Sequence, residues 1–252
     1  MVRGLDIFRE RFGDYSSRYV LIGGTACDLA MGEAGLEFRA TKDLDIVLCI
    51  ESLDKAFAEA FWAFVREGGY QIQETAEGNK QFYRFKKPKS ENYPFMLELF
   101  SRVPDALTVG PGSHLTPIPT AEEVSSLSAI LMDADYYGLI RSTSRILDGL
   151  PVVGPEGLIP LKARAWLDLT ERKAKGEPID SKDVKKHKND VFRLYQIVDP
   201  EAALDVPDKV KMDMAEFVTR VASEGADLKS LGMPRANLEA ILADLRRLYH
   251  IG

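Results

Sequence analysis

Two aspartates, Asp43 and Asp45, stand two residues apart at the mouth of the apolar, β-branched run in Thr41-Lys42-Asp43-Leu44-Asp45-Ile46-Val47-Leu48. The run reads as a buried strand. Successive side chains on a strand point to opposite faces, so the two carboxylates share one face with Cα atoms about 6–7 Å apart. Like charges so close are costly in apolar surroundings and are neutralised around a shared divalent cation such as Mg²⁺. Upstream, Tyr19-Val20-Leu21-Ile22 reads as a short strand that runs into Gly23-Gly24-Thr25, and Ala26 to Met31 has helical composition. A strand, a glycine pair and a helix start can turn backbone N–H groups and the positive end of a helix toward a phosphate. Alone, an Asp-x-Asp also fits a solvated turn or a cap, and Gly-Gly marks only a turn. Together they are more specific, because the cation neutralises the phosphates that the cradle positions.

A third acid stands in Pro94-Phe95-Met96-Leu97-Glu98-Leu99-Phe100, where Glu98 is the only charge of an apolar strand. Burying that carboxylate is expensive unless a cation compensates it; the alternative is a glutamate facing water at a strand edge. Further along, Asp183, Lys186, His187 and Asp190 fall at i, i+3, i+4 and i+7, one helix face. Intrahelical ion pairing explains such a face without any further role.

Gly23-Gly24-Thr25-Ala26 followed by Arg39-Ala40-Thr41-Lys42-Asp43-Leu44-Asp45 resembles the signature of the nucleotidyltransferase (DNA polymerase β-like) superfamily. The nearer resemblance is to the AbiEii/AbiGii-type toxin family, with Gly-Gly-x-Ala and then Arg-x-Thr-x-Asp-Leu-Asp. That family also carries a lysine on a later helix and a Lys-Asp segment beyond it, which Lys162 and Lys182-Asp183 resemble.

The resemblance implies a metal-dependent transfer of a nucleoside monophosphate from an NTP to a hydroxyl. Gly23, Gly24 and Thr25 would hold phosphates, with Lys42 and Lys162 also on the nucleotide. Asp43, Asp45 and Glu98 would hold Mg²⁺ or Mn²⁺, and Glu98 would accept the proton, with Asp105 as the fallback third acid. Lys162 would offset charge on the leaving pyrophosphate, and Asp183 would orient that lysine or the acceptor. The acceptor stays open: the resemblance suggests an RNA 3′ end such as that of tRNA, with an antibiotic or a protein hydroxyl as alternatives, and the implied partner is an operon-encoded antitoxin. Two other readings stay open: a non-catalytic nucleotide-binding or protein-interaction module of the same fold, and a metal-dependent phosphohydrolase using the aspartate pair.

With 252 residues, 45% hydrophobic and 29% charged, the chain has the composition of a soluble globular protein large enough for one or two domains. No apolar run approaches the roughly 18 residues of a membrane span, so a cytoplasmic address and no membrane partner are expected. Cys27 and Cys49 read as small buried hydrophobes, and three scattered histidines suggest no metal cluster. The net charge of −6 argues against a surface adapted throughout to nucleic acid. From Lys162 to Arg193, however, ten basic residues stand against six acids. A solvated face or a contact with RNA or triphosphate accounts for that excess.

The elements that must carry these residues follow from periodicity. Residues 1–17 form a helical lead-in on Leu5, Ile7, Phe8 and Phe12, and Ser52 caps a helix with Phe57, Phe61, Trp62 and Phe64 in the core. Gly68-Gly69 ends it, and a hairpin turns at Ala76 to Lys80. Residues 101–120 read as an irregular connection, Ser128 to Met132 as a strand, Ala134 to Arg141 as a helix and Arg145 to Val153 as one edge strand. Helices then dominate, on Leu158, Leu161, Ala165, Trp166 and Leu169, and later on Val210, Met214, Phe217, Val218 and Val221. The expected fold is α+β: a nucleotidyltransferase-like mixed sheet with flanking helices over residues 1–154, and a helical domain over 155–252, with the nucleotide in the cleft between.

Overall fold

The computed structural model describes residues 2–74, 80–102, 115–117, 128–199 and 201–252. The expected turn at Ala76 to Asn79 and Asp105 lie outside them. The chain divides into two compact units, Met1–Gly32 with Glu37–Val153, and Glu33–Leu36 with Gly154–Gly252. The first is a mixed sheet with flanking helices and the second is helical.

In the sheet unit the order is α1 (Leu5–Phe12), β1 (Tyr19–Ile22), α2 (Gly23–Glu33), β2 (Asp43–Leu48), α3 (Lys55–Gly68), β3 (Gln71–Glu74), β4 (Lys80–Lys86) and β5 (Met96–Ser101). Then follow β6 (Leu115–Pro117), β7 (Ser128–Leu131), α4 (Ala134–Ser142), β8 (Ser144–Leu147) and β9 (Leu150–Val153). The main sheet runs β3-β4-β5-β2-β1-β9-β8, with β7 pairing β5 and β6. Pairs β2–β5, β1–β9 and β5–β7 are parallel; the others are antiparallel.

Alternation along the strands gives the sheet two unlike faces. Tyr19, Leu21, Leu44, Ile46, Phe85, Leu97 and Leu99 share one face by register and are fully buried. Against it pack the aromatic side chains of α1 and α3. Phe12 lies 6.1 Å from Phe61 and 5.8 Å from Phe57, and Phe61 lies 5.6 Å from Phe85. Each such burial contributes about 1.5–3 kcal/mol, so this face anchors the unit. The opposite face carries Asp43, Asp45, Arg84, Lys86, Met96 and Glu98, all half-buried.

Two local expectations are corrected. The cap of α3 is Asp54, which accepts a 2.8 Å hydrogen bond from the Phe57 amide. Ser52 instead ends a 3-10 turn begun at Ile50. Residues 145–153 are not one edge strand but the hairpin β8–β9, turning at Asp148 (φ 51°) and Gly149 (φ 75°). Two positive φ values in a two-residue loop make the turn whose twist matches paired strands, and Asp-Gly is its signature. The strand β9 is therefore interior beside β1, and β8 takes the edge. Both cysteines are buried; Cys49 accepts a hydrogen bond from Arg141, yet burial pushes its thiol pKa up.

The helical unit comprises α5 (Pro155–Ala174), α6 (Ser181–Tyr195), α7 (Asp208–Glu224) and α8 (Leu238–Leu248). Trp166 of α5 meets Phe217 of α7 edge-on at 5.3 Å. Pro160 stands inside α5 and has no N–H for the carbonyl of Glu156 four residues before it. The hydroxyl of Tyr249, whose ring is wholly buried, donates to that carbonyl at 2.8 Å. Among the described residues no helix is long and apolar enough to cross a membrane.

Tyr249→Phe is expected to cost about 1–2 kcal/mol in urea unfolding, because it strips a carbonyl that proline has already deprived of its helical donor. Adding Pro160→Ala should shrink that penalty by restoring the N–H. An equal penalty in both backgrounds contradicts the compensation.

Candidate active site on the open sheet face

The site begins where β1 passes directly into α2. Gly23 has φ +69°, and a Cβ there would stand 1.8 Å from Oδ2 of Asp45. A Cβ on Gly24 would stand 2.4 Å from the hydroxyl oxygen of Thr41. The positive φ makes glycine the fitting residue at 23, and at both positions a side chain would displace the Asp45 carboxyl or the Thr41 hydroxyl, because segment 41–45 passes close across the start of α2. That passage sets the Asp45 carboxylate beside the positive end of a helix, a favourable place for an anion. Thr25 is fully buried, and its hydroxyl donates at 2.8 Å to the carbonyl of Asp43. It clamps β2 to α2, so the hydroxyl expected on a phosphate is already engaged.

Register aligns the acids. Asp45 pairs with Glu98 across the parallel β2–β5 ladder, and Glu98 pairs with Arg84 across the antiparallel β5–β4 ladder. Asp45, Glu98 and Arg84 thus form one row over three neighbouring strands, about 4.8 Å per step, with Asp43 two residues along β2. The sheet brings Asp43, Asp45 and Glu98 to one open face. Arg84, which sequence reasoning did not single out, binds Glu98 through both Nε and Nη2. Among the described residues no group of three His, Cys, Asp or Glu side chains that could hold a metal ion is assembled. The donor set remains one of hard carboxylate oxygens, which suits Mg²⁺ or Mn²⁺ rather than a softer metal. Lys42 is exposed, with Nζ 4.5 Å from the centre of the Phe95 ring; Arg39 lies similarly 5.0 Å over Phe38.

Lys162 and Asp183 belong to the helical unit, and the structure does not join them. Lys162 on α5 is 6% exposed, and its ammonium lies 3.7 Å from the fully buried carboxylate of Asp190 on α6. Arg193 reaches the same carboxylate at 3.2 Å. Asp183 is 60% exposed and lies 3.8 Å from Lys186, a surface pair within one helix. The carboxylate that Lys162 meets is that of Asp190, two turns beyond Asp183, the acid expected to orient that lysine or the acceptor. A groove of about 640 Å³ also opens in this unit, lined by Trp166, Lys173, Lys185, Lys188 and Glu224 among others. None of the expected site residues lines it. Its Lys188 is engaged, 3.1 Å from Glu224 and 5.6 Å from the Trp166 ring.

No family model matches the sequence, and no curated protein does. Among solved structures, JHP933 from Helicobacter pylori aligns at 15% identity over 96% of this chain and 85% of that one, with a TM-score of 0.41. The polyadenylate synthase of Megavirus aligns at 12% identity over 88% of this chain, with a TM-score of 0.38. This chain spans only 36% of that enzyme. At such values neither likeness carries weight, and the chemistry rests on the residues themselves.

The two helical acids should separate sharply. Asp190→Ala leaves a buried ammonium unpaired and is expected to cost about 3–5 kcal/mol in denaturant unfolding, whereas Asp183→Ala should stay within about 0.5 kcal/mol. Similar shifts for the two would contradict the pairing.

Proposed function

We propose that this chain is a divalent-cation-dependent nucleotidyltransferase that moves a nucleoside monophosphate from an NTP to a hydroxyl acceptor. The observation that carries the reading is the placement of Asp43, Asp45 and Glu98 on one half-open sheet face, beside a helix start whose glycines leave no room for a side chain. A structural sheet has no use for three carboxylates on adjacent strands, since each must be solvated or compensated.

Asp43, Asp45 and Glu98 would hold Mg²⁺ or Mn²⁺, which when bound offsets phosphate charge and lowers the pKa of a coordinated hydroxyl. Backbone N–H groups at Gly23 and Gly24 would orient the phosphates, and the exposed Lys42 would add charge at the rim. The acceptor oxygen attacks the α-phosphorus, the bond from that phosphorus to the bridging oxygen breaks, and pyrophosphate leaves. Glu98 is the group to accept the hydroxyl proton. An RNA 3′ end such as that of tRNA is the acceptor we put first. An antitoxin protein would then be the natural partner.

The pairing of Glu98 with Arg84 favours one second reading, a non-catalytic nucleotide-binding module of the same fold. Incubation with each α-³²P-labelled NTP, Mg²⁺ and total RNA separates the two. The wild type should label RNA and release pyrophosphate. The Asp43→Asn/Asp45→Asn double variant should lose more than about a hundredfold in rate, the scale of a lost charge stabiliser, with its fold intact by circular dichroism. Orthophosphate as product indicates a phosphohydrolase, and bound nucleotide without transfer indicates the non-catalytic module.

A further inference from the structure

The row formed by Asp45, Glu98 and Arg84 sets two carboxylates beside one guanidinium. The Glu98 side chain is 12% exposed and that of Arg84 29%, so the carboxylate is the more enclosed of the two and the cation has the way out. A half-buried carboxylate with other acids nearby is stabilised by a counter-charge. Arg84 supplies it from the neighbouring strand through two nitrogens. Both nitrogens meet the same oxygen, Oε1 of Glu98, so a divalent cation that took that oxygen would bring two charges to it and leave the guanidinium without its partner.

Resting on the nucleotidyltransferase reading, we propose that Arg84 is a built-in competitor for the cation site: it holds Glu98 until a divalent cation takes the carboxylate and releases Arg84 toward solvent. Arg84 is thus a positioning residue acting through Glu98. It holds the third acid along the row, and it weakens cation binding at the same time. The two roles are inseparable because they use one carboxylate.

Mn²⁺ titration followed by the electron paramagnetic resonance signal of free Mn²⁺ tests this without any turnover. The proteins compared are the wild type, Arg84→Gln, Glu98→Gln and the double variant. Arg84→Gln should tighten Mn²⁺ binding about fivefold, the factor carried by an ion pair of ordinary strength. In the Glu98→Gln background the same change should do nothing. Unchanged affinity in Arg84→Gln overturns the proposal. So does an equal tightening with Glu98→Gln, since that is through-space repulsion rather than competition for a carboxylate. If Arg84→Gln does not fold, Arg84→Lys, which keeps the charge but loses the fork of donors, should give a smaller tightening and the same dependence on Glu98. Mn²⁺ binding that Asp43→Asn/Asp45→Asn abolishes but Arg84 does not influence defeats this proposal alone. Absence of Mn²⁺ binding in every protein defeats the metal-dependent reading as well.

Discussion

The structure of the sheet unit turns on a steric constraint, the absence of space for any side chain at Gly23. A Cβ there would overlap the carboxylate of Asp45 at 1.8 Å, and the backbone already sits at φ +69°. Since β1 enters α2 without an intervening loop, the register of β2 beside β1 is set at that point. Ile22 pairs with Asp45, and three further pairs follow to Tyr19 and Leu48. A slip of one residue would turn the aspartates into the aromatic core and Leu44 and Ile46 to the open face. The buried bond from Thr25 to the Asp43 carbonyl holds the same junction from the other side. Two glycines, a threonine and an aspartate thus decide which face bears charge.

Once that register is set, charge balance explains the remaining polar interior. On the open face Arg84 compensates Glu98. In the helical unit Asp190, fully buried, is compensated by Lys162 and Arg193. Among the described residues these two enclosed carboxylates are met by basic side chains from a neighbouring strand or helix, and for Asp190 also from its own helix, and the cost of an unmet charge far exceeds the gain from any exposed pair. Polar backbone follows the same rule, as the Glu156 carbonyl shows. Proline removes its donor and a tyrosine hydroxyl replaces it.

Much of this was legible in the sequence because it depends on alternation within one element. The aromatic spacing of Phe57, Phe61, Trp62 and Phe64 and the period-two placement of Asp43 and Asp45 need no partner to be read. The buried stripe of Val210, Met214, Phe217, Val218 and Val221 is equally local. The misreadings arise where a second element decides. Asp183 and Asp190 lie seven residues apart on one face, about 10.5 Å along the helix, and only the packing of α5 on α6 selects which one meets Lys162. Arg84 could not be matched to Glu98 without the register of β4, which shifts by a bulge between Ile72 and Gln73 on its partner strand. The Thr25 hydroxyl looked free for a ligand because the carbonyl it serves is eighteen residues away in the chain. The hairpin at Asp148-Gly149 is a different case, since its signal was present and local and was outweighed by the apolar run around it.

We propose the Asp43/Asp45 face as the place where a divalent cation meets the phosphates of a nucleotide. Crystals grown with Mn²⁺ and a non-hydrolysable NTP analogue, measured at the manganese absorption edge, address it directly. Anomalous density is expected at the Asp43 and Asp45 carboxylates, with the phosphates against the Gly23-Gly24 turn and Glu98 rotated off Arg84. Manganese and nucleotide bound elsewhere, with this face unchanged, would contradict it.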